Sequence, residues 1–181
     1  MLLQDGSRWA GTIGSGFAGF MGKVMGARYQ ELLDNVKAYY YFPLAIARES
    51  RVEDAVLSAR VKLLGGRIDQ AGGLAFGLRN VGNYFVLRIN GLEDNLILFE
   101  YVNNRRFSRA VVPVKVPTDR WVTIRVETSG NHILGYLDEE LLIEYTAEWP
   151  VHGYVGLWTK ADSVTGFKDL NIIARQKGNS P

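Results

Sequence analysis

The sequence predicts an all-β fold, a two-sheet antiparallel sandwich of the jelly-roll kind with a short helical element near its start. Two observations carry that prediction. Some ten short runs rich in aromatic and β-branched residues follow one another between Ala38 and Ile173, and turn-forming clusters separate them at near-regular spacing. Scarcely any segment has helical periodicity, and a parallel sheet would need crossover helices.

The first 26 residues carry glycine at positions 6, 11, 14, 16, 19, 22 and 26, which suits an irregular segment pinned by Trp9, Phe17 and Phe20. Gly14-Ser15-Gly16 lacks the Gly-Lys-Ser/Thr ending of a phosphate loop. Tyr29, Leu32, Leu33 and Val36 then recur at i, i+3, i+4 and i+7, the stripe of one short amphipathic helix.

From Ala38 to Ala47 the period becomes two, interrupted by Pro43, as in an edge or bulged strand. Val56 to Leu64 alternates, with Val61 and Leu63 inward and Arg60 and Lys62 toward water. Leu74 to Arg79 and Tyr84 to Asn90 form a hairpin across Asn80-Val81-Gly82-Asn83. Further strands are Leu96 to Val102, Trp121 to Glu127, His132 to Leu137, Leu141 to Tyr145, Val151 to Thr159 and Val164 to Ile173. Their turns sit at Asn103-Asn104, Pro117-Thr118-Asp119, Ser129-Gly130-Asn131 and Asp138-Glu139-Glu140. Residues 1–175 read as one sandwich domain, with residues 1–37 packing on it and 176–181 a flexible tail.

Alternation also assigns faces. Phe85, Leu87 and Ile89 belong to the core, leaving Tyr84, Val86, Arg88 and Asn90 on the other side. Leu74, Phe76 and Leu78 look inward, and Ala75, Gly77 and Arg79 outward. Near the end of the chain Val155 and Leu157 alternate with Tyr154, Gly156, Trp158 and Lys160, so an exposed Trp158 and Lys160 are expected beside the Tyr/Arg/Asn row. Such a face suits a sugar, whose ring faces present C–H groups to an aromatic plate and whose hydroxyls need hydrogen-bonding groups around the rim. Trp158 or Tyr84 would be the plate, and Arg67, Asp69, Arg88, Asn90 and Lys160 the rim. The alternative for the same residues is a solvated face knitted by ion pairs.

Other chemistry is thinly represented. With 21 basic and 19 acidic residues and a net charge of +2, concentrated positive charge for nucleic acid is missing. There is no cysteine, which excludes disulfides, a thiolate nucleophile and zinc–sulfur sites. His132 and His152 stand apart from other plausible ligands. No run approaches the roughly 18 apolar residues of a membrane helix. The compartment stays open, with a leader removed from the start favouring an extracytoplasmic one.

Four motifs in order, Gly65-Gly66-Arg67-Ile68-Asp69-Gln70-Ala71-Gly72-Gly73, Asn83-Tyr84, Leu92-Glu93-Asp94-Asn95 and Gly156-Leu157-Trp158-Thr159-Lys160-Ala161-Asp162-Ser163, resemble a bacterial family of laminin-G/concanavalin A-like sandwiches. These are the 3-keto-disaccharide hydrolase-type domains, also described as family-16-glycosidase-like. The resemblance runs from about Asp34 to Ile173. It implies a curved jelly roll whose concave face handles carbohydrate, and it adds Glu93 to the ligand-binding set. The Glu-x-Asp-x-x-Glu strand of laminarinase-type glycosidases is not in this sequence.

Glu93 and Asp69 are the candidate catalytic carboxylates, since glycoside hydrolysis uses two carboxyl groups about 5–10 Å apart. Adjacent Glu93 and Asp94 point to opposite sides of a strand and make a poor pair. No organic cofactor is expected; a structural calcium would find Asp162 and Asp169 nearest that role. The expected function is carbohydrate binding. Its alternatives are hydrolysis of a glycoside, including the 3-keto disaccharide that the resemblance implies, and a structural or protein-interaction sandwich without a small ligand.

Overall fold

The computed structural model describes residues 1–7 and 41–175. The predicted helix, the segment around Trp9, Phe17 and Phe20, residues 38–40 of the first predicted strand and the tail lie outside the described residues.

Among the described residues twelve strands follow in chain order: β1 (Leu2–Asp5), β2 (Leu44–Ile46), β3 (Ala55–Gly65), β4 (Ala71–Asn80), β5 (Asn83–Asn90), β6 (Asn95–Val102), β7 (Arg105–Pro113), β8 (Val122–Ser129), β9 (His132–Leu137), β10 (Glu140–Thr146), β11 (Tyr154–Thr159) and β12 (Val164–Ala174). They form two six-stranded sheets. Sheet I has the order β1-β12-β3-β8-β9-β10 and sheet II the order β2-β11-β4-β5-β6-β7. Every pairing is antiparallel.

One core lies between the sheets. Leu57, Val61, Leu63, Val122, Ile124 and Val126 supply it from sheet I, and Leu74, Phe76, Leu87, Ile89, Leu96, Leu98 and Leu157 from sheet II. These are the positions that a period of two selects, because burying one face requires apolar residues at every second place.

Sheet II has a second apolar cluster on its other face, built from Ala71, Ala75, Leu78, Tyr84, Val86, Ile97, Phe99, Tyr101 and Trp158, with Phe42 and Leu44 packed against it. Leu78 belongs here and not with Leu74 and Phe76, which corrects the alternation expected for β4. Between the pairs Phe76–Phe85 and Asn80–Asn83 the register shifts, and Gly77 has φ +58. The left-handed residue breaks the pleat, so Leu78 turns to the opposite face.

Two strands escape the sequence pattern. β1 is four residues long, and β7 interleaves Arg105, Arg106 and Arg109 with its apolar residues, so its alternation is weak. Among the described residues no helix is long and apolar enough to cross a membrane.

Candidate functional site

Antiparallel register lines up side chains across sheet II. Trp158 pairs with Gly73, Gly73 with Arg88 and Arg88 with Ile97. One row toward the end of the sheet, Ala71 pairs with Asn90 and Asn90 with Asn95. Arg88 and Asn90 therefore share the non-core face of β5, as their parity requires.

The loop between β3 and β4 brings Asp69 to this end, and its shape depends on Asp162. Asp162 Oδ2 accepts hydrogen bonds from the backbone N–H of Arg67 at 2.8 Å and Ile68 at 3.1 Å, and Oδ1 from Ile68 at 3.1 Å and Asp69 at 3.0 Å. Gly66 makes the turn tight, since a Cβ there would lie 1.7 Å from the Asp69 carbonyl oxygen. Ser163 Oγ accepts from Ala71 N–H at 3.0 Å and donates to the Lys160 carbonyl at 2.5 Å. The first and last sequence motifs are thus two sides of one braced corner.

On that corner stand two joined polar networks. Asn90 Nδ2 donates to Asp69 Oδ1 at 2.9 Å, and Lys160 pairs with Asp69 Oδ2. Asn90 Oδ1 accepts from the N–H groups of Leu92 at 2.8 Å and Glu93 at 3.3 Å, which fixes the β5–β6 turn. Arg88 donates to Asn95 Oδ1 at 2.7 Å and to Glu93 Oε2 at 3.0 Å, and Asn95 Nδ2 donates to the same Glu93 oxygen at 3.1 Å. Asp94 faces the other way, onto Lys115 Nζ at 2.7 Å and Val116 N–H at 3.0 Å.

Asp69 and Arg88 are each 2% exposed, whereas the Glu93 side chain is 46% exposed and that of Lys160 15%. Glu93 and Lys160 are the groups that present the cluster to water. Burial pushes the Asp69 carboxyl above its usual range, against the opposing pull of Lys160 and Arg88. For Glu93 burial also works upward, but Arg88, Asn95 and Lys160 together outweigh it and hold the carboxyl low.

Not every expected residue behaves as the sequence suggests. Trp158 is 0% exposed and Tyr84 5%, so neither is an open plate. The Phe42 ring lies on Trp158 with centroids 5.5 Å apart and planes 16° apart, and it meets Tyr101 edge-on at 5.6 Å. Tyr84 and Tyr101 stack on each other at 4.2 Å, and burial raises the pKa of both phenols. Arg67 is exposed and joins the corner through its backbone N–H.

The expectation of Asp162 as a calcium ligand does not fit its surroundings: both carboxylate oxygens receive N–H donors where a cation would need them free. Asp169 is exposed at φ +53, beside a register shift in β12. Among the described residues no three His, Cys, Asp or Glu side chains are grouped to hold a metal.

Asn95, Phe99, Tyr101 and Phe42 are the residues that the sequence reading missed. Asn95 closes the Leu92-to-Asn95 motif, and Phe99 and Tyr101 follow from alternation in β6, whose Leu96 and Leu98 face the core. Nothing local marks Phe42. A cavity of about 240 Å³, lined by Glu53, Asp54, Gly130, Pro150, Val151 and His152, contains none of the predicted site residues.

The same sandwich occurs in proteins of known structure. A carbohydrate-binding module, CBM66, from Bacillus subtilis superposes with a TM-score of 0.67 at 17% identity, over 74% of this chain and 82% of that one. The chain folds as a jelly roll. Galectin LEC-6 of Caenorhabditis elegans gives a TM-score of 0.55 at 9% identity, covering 71% of this chain and 89% of its own. A β-glucanase of Bacillus licheniformis gives 0.54 at 11%, covering 75% and 78%. At such identities the likeness concerns the fold. No family model and no curated protein sequence matches this jelly roll.

Proposed function

We propose that this jelly roll is a carbohydrate-binding domain that takes a neutral saccharide at the Asp69/Arg88/Asn90/Glu93/Asn95/Lys160 corner of sheet II. One observation carries the proposal: four chain segments converge to hold Glu93 and Lys160 at the solvent edge of a connected network whose Asp69, Arg88 and Asn90 are buried. A pair of vicinal hydroxyls needs an acceptor and a cationic donor side by side, already fixed in place. Glu93 accepts from one hydroxyl while Lys160 donates to its neighbour. Two cations, Arg88 and Lys160, balance two carboxylates, Asp69 and Glu93, which favours an uncharged sugar over a uronic acid or an amino sugar.

Calorimetric titration with lactose, maltose, sucrose and cellobiose tests it. At least one should bind, and Glu93→Gln should weaken that binding about tenfold, since it removes a charge-assisted acceptor. If none binds, or if Glu93→Gln binds unchanged, the proposal fails.

A second reading, hydrolysis of a glycoside by a 3-keto-disaccharide hydrolase-type domain, draws on the opposite pKa directions of Asp69 and Glu93, the pattern that separates an acid from a base. The Asp69 oxygens, however, are taken up by Asn90 and Lys160. Release of sugar from 3-keto-glucosides that disappears in both Asp69→Asn and Glu93→Gln would establish hydrolysis; no release from the wild type would remove it.

A further inference from the structure

The corner just described lacks one component of a saccharide site, an aromatic face open to the ring. Trp158 lies in the Arg88 row of the same face. Across the sheet Trp158, Gly73 and Arg88 are aligned, and the absence of a side chain at Gly73 leaves the indole and the guanidinium side as neighbours in the row. What covers Trp158 on the outer side is Phe42, nearly parallel to it at 5.5 Å. The Arg106 guanidinium stands 4.8 Å from the Phe42 ring centroid and 4.7 Å from that of Phe99. Phe42 is therefore a flat six-membered ring between an indole and a cation, a position that a pyranose could take.

The polar atoms beneath it are not served by this arrangement. Trp158 Nε1, Tyr101 Oη and Arg88 Nε are buried without a well-formed hydrogen bond, the indole N–H and the Tyr84 and Tyr101 hydroxyls having only one another within loose reach. A phenyl ring offers them nothing, and buried donors without acceptors are unfavourable. A ring carrying hydroxyls at its rim would supply an acceptor to Arg88 Nε while keeping an apolar face on the indole.

Phe42 is also placed to move without unravelling its strand. The backbone around it is held separately, by Ala161 N–H to the Tyr41 carbonyl at 3.0 Å, Thr159 N–H to the Pro43 carbonyl at 3.0 Å and the short β2 ladder onto β11. Phe42 itself is half-buried, so a rotation about its side-chain bonds uncovers Trp158 with the backbone left in place.

We propose that the outer face of Trp158 is a second saccharide subsite, contiguous with the Glu93/Lys160 corner, and that Phe42 is its built-in occupant, displaced when a disaccharide binds. This rests on the saccharide-binding proposal above. The second ring of the ligand stacks on Trp158, and a hydroxyl oxygen at its rim accepts from Arg88 Nε.

The test compares wild type, Phe42→Ala and Glu93→Gln by calorimetric titration with lactose, maltose, sucrose and cellobiose. It also follows the Trp158 indole N–H signal of the ¹⁵N-labelled wild type, assigned with Trp158→Phe, so that the outcome does not depend on Phe42→Ala folding well. Phe42→Ala should bind the preferred disaccharide about tenfold more tightly, because no occupant has to leave, and saturating sugar should shift the Trp158 indole signal in the wild type. Binding that depends on Glu93, is unchanged or weaker in Phe42→Ala and leaves the indole signal in place would overturn the subsite and spare the corner. Absence of binding to both wild type and Phe42→Ala would overturn both.

Discussion

The outward faces of the two sheets are written in the same alternating code and end in opposite environments. On β8 of sheet I, Thr123, Arg125 and Glu127 are half-buried, as on a solvated surface. On β5 of sheet II, Tyr84, Val86, Arg88 and Asn90 are all buried. Both faces carry a Trp and an Arg. Trp121 stays half-exposed under Lys168 Nζ, 4.6 Å from its ring, while Trp158 is fully covered by Phe42 and its neighbours. Arg125 pairs with Glu127 and lies 3.6 Å over the Tyr136 ring with a quarter of its side chain exposed; Arg88 is 3% exposed and held through its two terminal nitrogens by Asn95 and Glu93. A charge on the first face can be exchanged for another. On the second face it is locked into one geometry, because removing a buried partner leaves its neighbours unpaired.

The Trp pair should show the largest contrast. Trp158→Ala empties a fully buried volume and should destabilise the protein by about 4 kcal/mol, whereas Trp121→Ala loses mainly a cation–π contact and should cost about 1 kcal/mol. Urea denaturation of both variants measures this, and equal losses would erase the distinction between the faces. Next comes the Arg pair. Arg88→Ala should destabilise by about 2 kcal/mol, leaving Asn95 and part of Glu93 without donors, and Arg125→Ala by no more than about 1 kcal/mol. A larger loss at Arg125 would reverse the comparison.

The smallest effect is in the titration of the corner itself. Raising the pKa of Asp69 means that folding disfavours its ionised form, so its contribution is fully present below the ordinary carboxylate pKa and is lost as pH rises through the folded value. Glu93 has the opposite sign: its contribution is present above the ordinary value and is lost as pH falls through the lowered one. On acidification Asp69 should take its proton above the ordinary aspartate range and Glu93 below the ordinary glutamate range, followed by carboxyl ¹³C shifts assigned with Asp69→Asn and Glu93→Gln. An Asp69 carboxyl that titrates below its ordinary range would mean that Lys160 outweighs burial there.

Much of this corner is legible in the sequence. Strand period places Arg88 and Asn90 together, and the motifs around Asp69, Glu93 and Lys160 do close on them. Hairpin turns fix neighbouring strands, so β4, β5 and β6 and their faces follow from local rules. The exceptions are equally physical. Leu78 changes face because a left-handed Gly77 interrupts the pleat. Asp162 carries the acidic chemistry of a cation ligand, yet three N–H groups from the β3–β4 loop occupy it.

By itself, then, the sequence determined the class of fold, the strand order along the chain and which side of each regular strand faces the main core, since all of these follow from a period of two and from turn chemistry between adjacent runs. Only the tertiary structure decided that the far side of sheet II is a second interior. Its cover comes from Phe42, remote in sequence from both Trp158 and Tyr101. Whether an outward aromatic meets water or another ring depends on what the chain lays over it, and alternation within a strand carries no information about that.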